Sequence, residues 1–346
     1  RFVVVKRVLW LNLDADLELE SDHYRRSSRM RAQIAALARR LEVARSTVTA
    51  RSGDPWPRLL DCEFLVPNLD DDRGEPRDAV PSRRSPAQPV ACRDAPSRES
   101  SEVAREPAGE RDAYADAWCP TPSALAALAR RGYTAGSTPP VDVLRRVNHR
   151  SFCTSLGTTL PAEAFVRSLD ELDEHLEALQ ATCRRLQLAQ RCVLKRPFGF
   201  SGRARKILDP AAWRRGDGEP TRRWAEASMN SYGNGLQVEP WVDVESEFSI
   251  HGIVDRDGRA RFGIPRVLQC DANGAWEQSR DAIVGELDDQ EIESLEREAQ
   301  RCAGALASAA YHGPFGVDAF RWRDARGRVH FRPRSELNAR FTMGFF

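Results

Sequence analysis

Apolar positions along this chain recur in two rhythms, and the organisation changes where the rhythm changes. Residues 8–13 form a short, nearly continuous apolar run, which predicts a buried strand. Across 29–44 the apolar residues Ile34, Leu37 and Leu41 return at helical spacing, and 62–66 predicts a second strand. The three together read as a small βαβ-type opening unit. The stretch 1–11 is basic and apolar, but it lacks a small-residue cleavage site and runs straight into Asn12, Leu13, Asp14, Ala15 and Asp16. It therefore reads as strand rather than signal peptide.

From 70 to 112 the pattern disappears. The segment holds six prolines, many Arg, Ser, Glu and Asp, and no Leu, Ile, Phe, Trp or Tyr. It cannot bury enough apolar area to offset the entropy of ordering it, which predicts a disordered or loose insertion, with a docking tail as the alternative use. Order resumes at Trp118. Thr121 stands where a helix N-cap belongs, with Pro122 in the first position and Leu125 and Leu128 following. Residues 141–156 predict a further helix, and 170–188 an amphipathic one with Leu172, Leu176 and Leu179 on one side. From 192 onward strands dominate, at 192–196, 205–208, 236–239, 247–254, 261–268, 316–322 and 329–332, with helices at 221–231 and 289–309. No internal repeat is visible.

At 346 residues the chain is about twice a typical ~150-residue domain, so two or three domains are expected. Fifty-two basic residues face fifty-one acidic ones, a net charge of +1. No global field draws nucleic acid or an anionic membrane, and neither is expected as a partner. The longest apolar runs, such as 3–5 and 8–11, fall far short of the ~20 residues of a membrane span. Eight cysteines are scattered without a CxxC pair, which predicts reduced thiols in a cytoplasmic protein rather than a disulfide framework or a zinc site.

Three stretches carry chemistry. In 193–206 a strand delivers Lys195, then a small-residue loop with Gly199, Ser201 and Gly202, then a second basic strand with Lys206. Glycines let backbone N–H groups approach phosphate oxygens, and a lysine adds a point charge to the same group. The plain alternative is a tight hairpin with solvated basic residues. It is not a Walker loop, which needs Gly-Lys-Ser/Thr opening a helix. In 237–249 an extended stretch with Glu239, Trp241 and Val242 could offer backbone groups to an adenine edge, and Glu247 could accept a ribose hydroxyl; surface acids on a strand–turn–strand are the alternative. In 313–340, Asp318 and Glu336 fall on neighbouring strands of a predicted hairpin, and Glu336 and Asn338, two apart, leave an extended strand on the same face. That all-oxygen set suits Mg²⁺ bridging phosphates, and Arg340 continues the face towards a phosphoryl group or a substrate carboxylate. Exposed polar residues on an edge strand are the alternative.

In this order and spacing the three stretches resemble the ATP-grasp superfamily. The match runs over about 192–343 and extends more weakly back to about 141. Its most specific part is Glu336-x-Asn338 with the upstream Asp318, and an arginine at the place of Arg340 recurs in carboxylase-like members. The resemblance implies an α/β and α+β multidomain protein: an ATP-grasp fold, two α+β lobes sandwiching ATP, preceded by a small Rossmann-like N-terminal domain. The implied division is 1–69 with 113–140 for that domain, 70–112 for the insertion, 141–235 for the small lobe with the glycine loop, and 236–346 for the C-terminal lobe with the Mg²⁺ site. By resemblance Lys195 and Lys206 meet the ATP phosphates, Gly199, Ser201 and Gly202 belong to a flexible lid, and Glu239 through Val242, Trp241 included, form the adenine hinge. Glu247 then holds the ribose, and Asp318, Glu336 and Asn338 hold one or two Mg²⁺ ions, with Mn²⁺ as a substitute. Lys195 and Arg340 are the catalytic charges. Members usually carry a further phosphate lysine earlier; here Arg146 and Arg150 occupy that stretch, so Arg150, or else Arg146, would have to replace it.

The activity implied is a ligase that activates a carboxylate as an acyl phosphate and joins it to an amine or other nucleophile. A same-fold small-molecule kinase and a non-catalytic nucleotide sensor are the rival readings. Small carboxylates and amines are the expected partners, chosen by the N-terminal domain and by loops such as 269–280, and a homodimer is the default assembly. Asn12, Leu13, Asp14, Ala15 and Asp16 end the first strand, where open α/β sheets usually place ligands. His149 and His251 read as structural rather than acid–base residues. Some members continue further past the arginine, which leaves room for the sequence being a fragment.

Overall fold

The computed structural model describes residues 8–47, 62–67, 114–199, 204–231, 233–270 and 276–346. The expected insertion at 70–112 and the loop residues Ser201 and Gly202 lie outside them. The first unit comprises β1 (Val8–Trp10), α1 (Ala15–Glu20), α2 (Ser28–Thr47), β2 (Glu63–Leu65), β3 (Tyr114–Ala117), α3 (Pro122–Arg130) and β4 (Thr134–Ala135). Its four strands form a parallel sheet in the order β2–β1–β3–β4. β1 is buried on both faces, which is why its residues are apolar without alternation. Leu9 and Leu11 pack with Ile34 and Leu41 of α2, while Val8 and Trp10 pack with Ala124, Ala127 and Leu128 of α3. The short strands β3 and β4 have too few residues to show a period, and the sequence reading missed both. Thr121 stands before Pro122 as expected, yet its hydroxyl does not cap α3; it donates to Glu18 Oε2 at 2.8 Å.

The next stretch runs through α4 (Val141–Asn148), α5 (Arg150–Ser155), β5 (Ala164–Val166), α6 (Leu169–Leu186), β6 (Cys192–Lys195), β7 (Arg205–Leu208), α7 (Pro210–Arg214), α8 (Glu219–Ser231) and β8 (Leu236–Pro240). The single helix expected at 141–156 is two. His149 takes an extended conformation, ψ 128°, and its ring accepts the Ser151 N–H to start α5. The small sheet is antiparallel, in the order β5–β8–β6–β7. α6 covers it with Leu172, Leu176, Leu179 and Cys183, packed with Leu194 and Val238. β8 pairs with β5 and β6, so this sheet extends through Pro240, past the position 235/236 expected for the boundary. At the other end, Val143, Leu144, Val147 and Cys153 of α4 and α5 join the core of the following unit instead of the small sheet.

That unit holds β9 (Asp243–Val254), β10 (Ala260–Phe262), β11 (Arg266–Cys270), β12 (Trp276–Asp281), α9 (Asp289–Ser308), β13 (Gly313–Arg323) and β14 (Val329–Asn338). The strands form one antiparallel sheet, β12–β11–β9–β13–β14, with β10 beside β9. The strand expected at 261–268 is thus two strands. β12, which overlaps the stretch expected as loop 269–280 from Trp276 on, was not foreseen. One sheet face is apolar: Phe248, Ile250, Val317, Ala319 and Leu337 pack against Leu295, Ala299, Cys302, Ala303 and Leu306 of α9, at the 3.6-residue period an amphipathic helix needs. The chain's last described turn, Met343–Phe345, carries Phe341, Phe345 and Phe346 back into the α2 side of the N-terminal sheet, where Phe346 stacks on Trp118.

α9 starts at a reciprocal cap. Asp288 accepts the Glu291 N–H at 2.8 Å, and the Glu291 carboxylate accepts the Asp288 N–H at 3.0 Å. Replacing such a cap costs about 1 kcal/mol. Asp288→Ala should therefore lower the unfolding free energy by that amount, read as a lower urea midpoint at unchanged m-value; an unchanged midpoint would mean that packing alone sets the start of α9.

Candidate functional site

Burying one face of the C-terminal sheet on α9 leaves the other face for a cavity of about 580 Å³, within the ~300–1,000 Å³ common for small-molecule sites. Glu247 and His251 of β9, Asp318 of β13, and Glu336 and Asn338 of β14 all line it. Register accounts for the set. Asp318 lies opposite Ser249 on one side and Glu336 on the other, and Gly316 lies opposite His251 and Asn338. The pairing of β13 with β14 is irregular between Asp318 and Phe320. Across it the phase changes, so Arg334 pairs with Glu298 of α9 at 2.8 Å while Glu336 and Asn338 reach the cavity.

The small lobe closes the opposite side with Lys195, Gly199, Arg205 and Glu239, and the connection Trp241–Val244 forms the rim. Lys195 is aimed by a chain of buried charges. Its Nζ donates to Glu239 Oε2 at 2.7 Å; Glu239 Oε1 takes Arg332 Nη2 at 2.9 Å, and Arg332 also holds Glu163 Oε1 at 3.0 Å. Burial by itself would raise the Glu239 carboxyl, but Arg332 and Lys195, with their hydrogen bonds, outweigh it and hold the group far below the usual carboxylate range. Arg332 comes from β14, so this chain of charges ties the two lobes together beside the rim.

The acids are less well compensated. Burial, then the neighbouring Glu336 and Glu247, push the Asp318 carboxyl up to about 7, against the opposing pull of Arg340 and a hydrogen bond from Asn338 Nδ2 to Asp318 Oδ2 at 3.0 Å. Burial also raises Glu247. Glu336 goes the other way: burial is outweighed by Arg150, 2.9 Å from Oε1, and by Lys195 and Arg340. A buried carboxyl driven towards the protonated form by like charges is where a divalent cation relieves the greatest repulsion. Among the described residues no three His, Cys, Asp or Glu side chains form a ready cage. Mg²⁺ binds through one or two carboxylates, with waters and substrate phosphates completing its shell. Two carboxylates and a rotatable amide at one spot fit that demand.

Several expected contacts change. Lys206 is paired with Leu194 and shares the alternation of Leu208, so it is exposed away from the cavity; Arg205, opposite Lys195, lines the cavity in its place. Arg150 lines the cavity but pairs with Glu336, while Arg146 donates to the Ala309 carbonyl at 2.5 Å. Arg340 lines it as well, with Nη2 held 2.7 Å from Asp16 Oδ2 of α1. The Glu239 side chain is inside the charge chain, and the Trp241 N–H donates to the Arg191 carbonyl at 2.9 Å, which leaves Trp241 its carbonyl and ring at the rim. Of the β1-end polar residues only Asp16 approaches the site. Asn12 bonds the Cys119 carbonyl at 2.8 Å, and Asp14 is paired with Arg26 at 2.8 Å.

His149 is structural as expected, its Nε2 2.6 Å from the Gly233 carbonyl. The sequence reading passed over Arg332 and Arg205. Arg332 sits in the basic run 332–334 with no local sign that it is buried, and the phase of Arg-Lys-Ile-Leu in β7 is legible only once Lys195 is known to face Arg205.

No protein-family model matches the chain, and no curated protein matches it. Solved structures to which it is similar include biotin carboxylase from Campylobacter jejuni in its β,γ-ATP complex, at 12% identity over 67% of this chain and 49% of that one, TM-score 0.49. N5-carboxyaminoimidazole synthetase from Staphylococcus aureus complexed with ADP is 14% identical over 67% of this chain and 54% of that one, TM-score 0.43. Pyruvate carboxylase from Rhizobium etli is 18% identical over 65% of this chain, TM-score 0.46. The chain spans about half the length of the first two and 18% of the third.

Proposed function

We propose that this chain is an ATP-grasp enzyme, a Mg²⁺- and ATP-dependent ligase that activates a substrate carboxylate as an acyl phosphate and passes the acyl group to an amine. The observation that carries this reading is the convergence, in one cavity between two sheets, of Lys195 from one side and Asp318, Glu336 and Asn338 from the other. The parallel N-terminal sheet, which contributes Leu13 and Trp118 to the same cavity, takes the place of the Rossmann-like domain in this proposal.

Asp318, Glu336 and Asn338 would hold Mg²⁺, which when bound would supply positive charge against the negative charge that builds up in phosphoryl transfer. Lys195, kept extended by Glu239, supplies a fixed positive charge to the phosphates; Arg205 adds a second. A substrate carboxylate oxygen attacks the γ-phosphorus, the bond to the β–γ bridging oxygen breaks, and ADP leaves with the electron pair. The amine then attacks the acyl carbon, the acyl C–O bond breaks to release phosphate, and the amine proton passes to solvent. Positioning and preorganised charge supply the acceleration, and no protein nucleophile is needed. Arg150 screens Glu336 until the nucleotide arrives, and Arg340 is steadied by Asp16 for the substrate carboxylate.

Lys195→Ala and Glu336→Ala should each lower acid-dependent ADP release by at least ~100-fold, the scale of losing one preorganised charge contact, with melting curves showing a folded protein. Near-normal turnover in both rejects the assignment, and a stable phosphorylated product with no amine consumed would make the enzyme a kinase. The Asp318 carboxyl supplies a pH test. Its proton competes with the cation, and because its pKa is raised to about 7, the Mg²⁺ concentration for half-maximal activity should climb as pH falls below 7, approaching ~tenfold per unit. In Asp318→Asn that steep climb should vanish while Mg²⁺ is held more weakly; a flat profile in the unaltered enzyme removes Asp318 from the metal site.

A further inference from the structure

The cavity has a second end that phosphoryl transfer does not use. Across β13 the polar sheet face continues onto β9, at Ser249 opposite Asp318 and at His251 opposite Gly316, and the segment after Arg340 folds over them through Thr342 and Gly344. The approach is tight. A Cβ on Gly344 would collide with the His251 ring, and one on Gly316 would lie 3.0 Å from both His251 Cδ2 and Thr342 Cγ2. Three polar atoms meet there, Ser249 Oγ, His251 Nε2 and Thr342 Oγ1, all buried and all without a hydrogen-bond partner among the described residues. Their residues are 0%, 2% and 9% exposed. Leaving one such group unpaired costs ~1–3 kcal/mol, so three in one recess call for an explanation.

His251 and Thr342 line the cavity, with Ser249 next to them. The same cavity is also lined by the apolar side chains of Leu13 and Trp118 of the N-terminal unit and of Leu268, Trp276 and Met343. The charges nearby are already committed: Arg340, held by Asp16 at 2.7 Å, is the one assigned to the carboxylate that reacts, and Arg266 is paired with Asp281 at 3.1 Å. His251 itself is neutral, since burial and the charge of Arg266 push it down to about 3. It can donate or accept a hydrogen bond, but it is no general base near neutral pH.

We propose that this end of the cavity holds the body of the carboxylate substrate, an aliphatic or aromatic group bearing one uncharged polar atom that hydrogen-bonds to His251 and Thr342. The proposal rests on the ligase reading for the word substrate, though not for the site. Acids with a charged tail are rejected, because here a charge finds no free counter-charge and must shed its water. The phenol of a hydroxyphenyl acid has the required shape: apolar faces for Trp118 and Met343 and a hydroxyl for the recess.

The test separates the two readings. In the full chain without nucleotide, titration with 4-hydroxyphenylpropionate should quench tryptophan fluorescence saturably, with Trp118→Phe reducing the signal. Glutarate and 6-aminohexanoate should bind at least about tenfold more weakly. Thr342→Val, nearly isosteric, should weaken the hydroxyphenyl acid by about tenfold, the value of one buried hydrogen bond, while its melting temperature does not fall, since an unpaired buried hydroxyl is removed, and its affinity for a fluorescent ATP analogue stays unchanged. Equal or tighter binding of the charged acids, indifference to Thr342→Val, or no saturable binding by any of the three overturns the proposal. If the acid binds as expected and Mg²⁺·ATP yields no ADP with any acid or amine, the subsite stands and the ligase reading falls. If ADP release is driven best by charged acids, the reverse holds.

Discussion

One constraint organises the C-terminal half of this protein: a strand has two faces, and α9 claims one of them. Phe248, Ile250, Val317 and Leu337 must point into the core, so Glu247, Ser249, His251, Asp318 and Asn338 must point out of it. A slip of one residue between β13 and β14 would bury carboxylates against Leu295 and Leu306 and expose the core, a change no marginally stable domain survives. The chemistry of the cavity therefore inherits its precision from hydrophobic packing on the far side of the same sheet. The glycines at 316 and 344 serve the same end by letting the closing segment lie directly on that face.

The small lobe solves a different problem, holding a long, flexible lysine still. Glu239 does this from a buried position, which it can occupy only because Arg332 and Lys195 flank it. Such an arrangement contributes little net stability, since desolvation of the ions offsets most of their attraction. What it supplies is direction. Removing Arg332 would leave Glu163 and Glu239 facing each other in the interior, so the arginine acts as a strut between lobes.

Much of this was legible in the sequence, and the limits have physical causes. The Glu336 and Asn338 pair could be read because residues two apart in a strand share a face, but counting out from the turn at 324–328 sets Asp318 against Arg334, and only the irregularity between Asp318 and Phe320 brings Glu336 opposite it. α6 and α9 were readable from their periodic leucines. Long-range pairings were not. Nothing local to Arg340 announces Asp16, more than three hundred positions earlier, and nothing local to Glu239 says whether its side chain faces a nucleotide or an arginine. Lys206 and Arg205 are adjacent basic residues, and only strand phase tells them apart. The break at His149 escaped notice because a histidine that caps with its ring looks, in sequence, like any helix residue.

The return of Phe341, Phe345 and Phe346 into the N-terminal sheet has a kinetic consequence. Leu9 and Leu11, among the first described residues, share a core with side chains more than three hundred residues downstream. During synthesis from the ribosome the opening sheet must wait, one apolar flank uncovered, until those phenylalanines emerge. Contacts of such wide separation slow folding and lengthen the exposure of sticky surface. A nascent chain stalled before them would be a natural client for a chaperone.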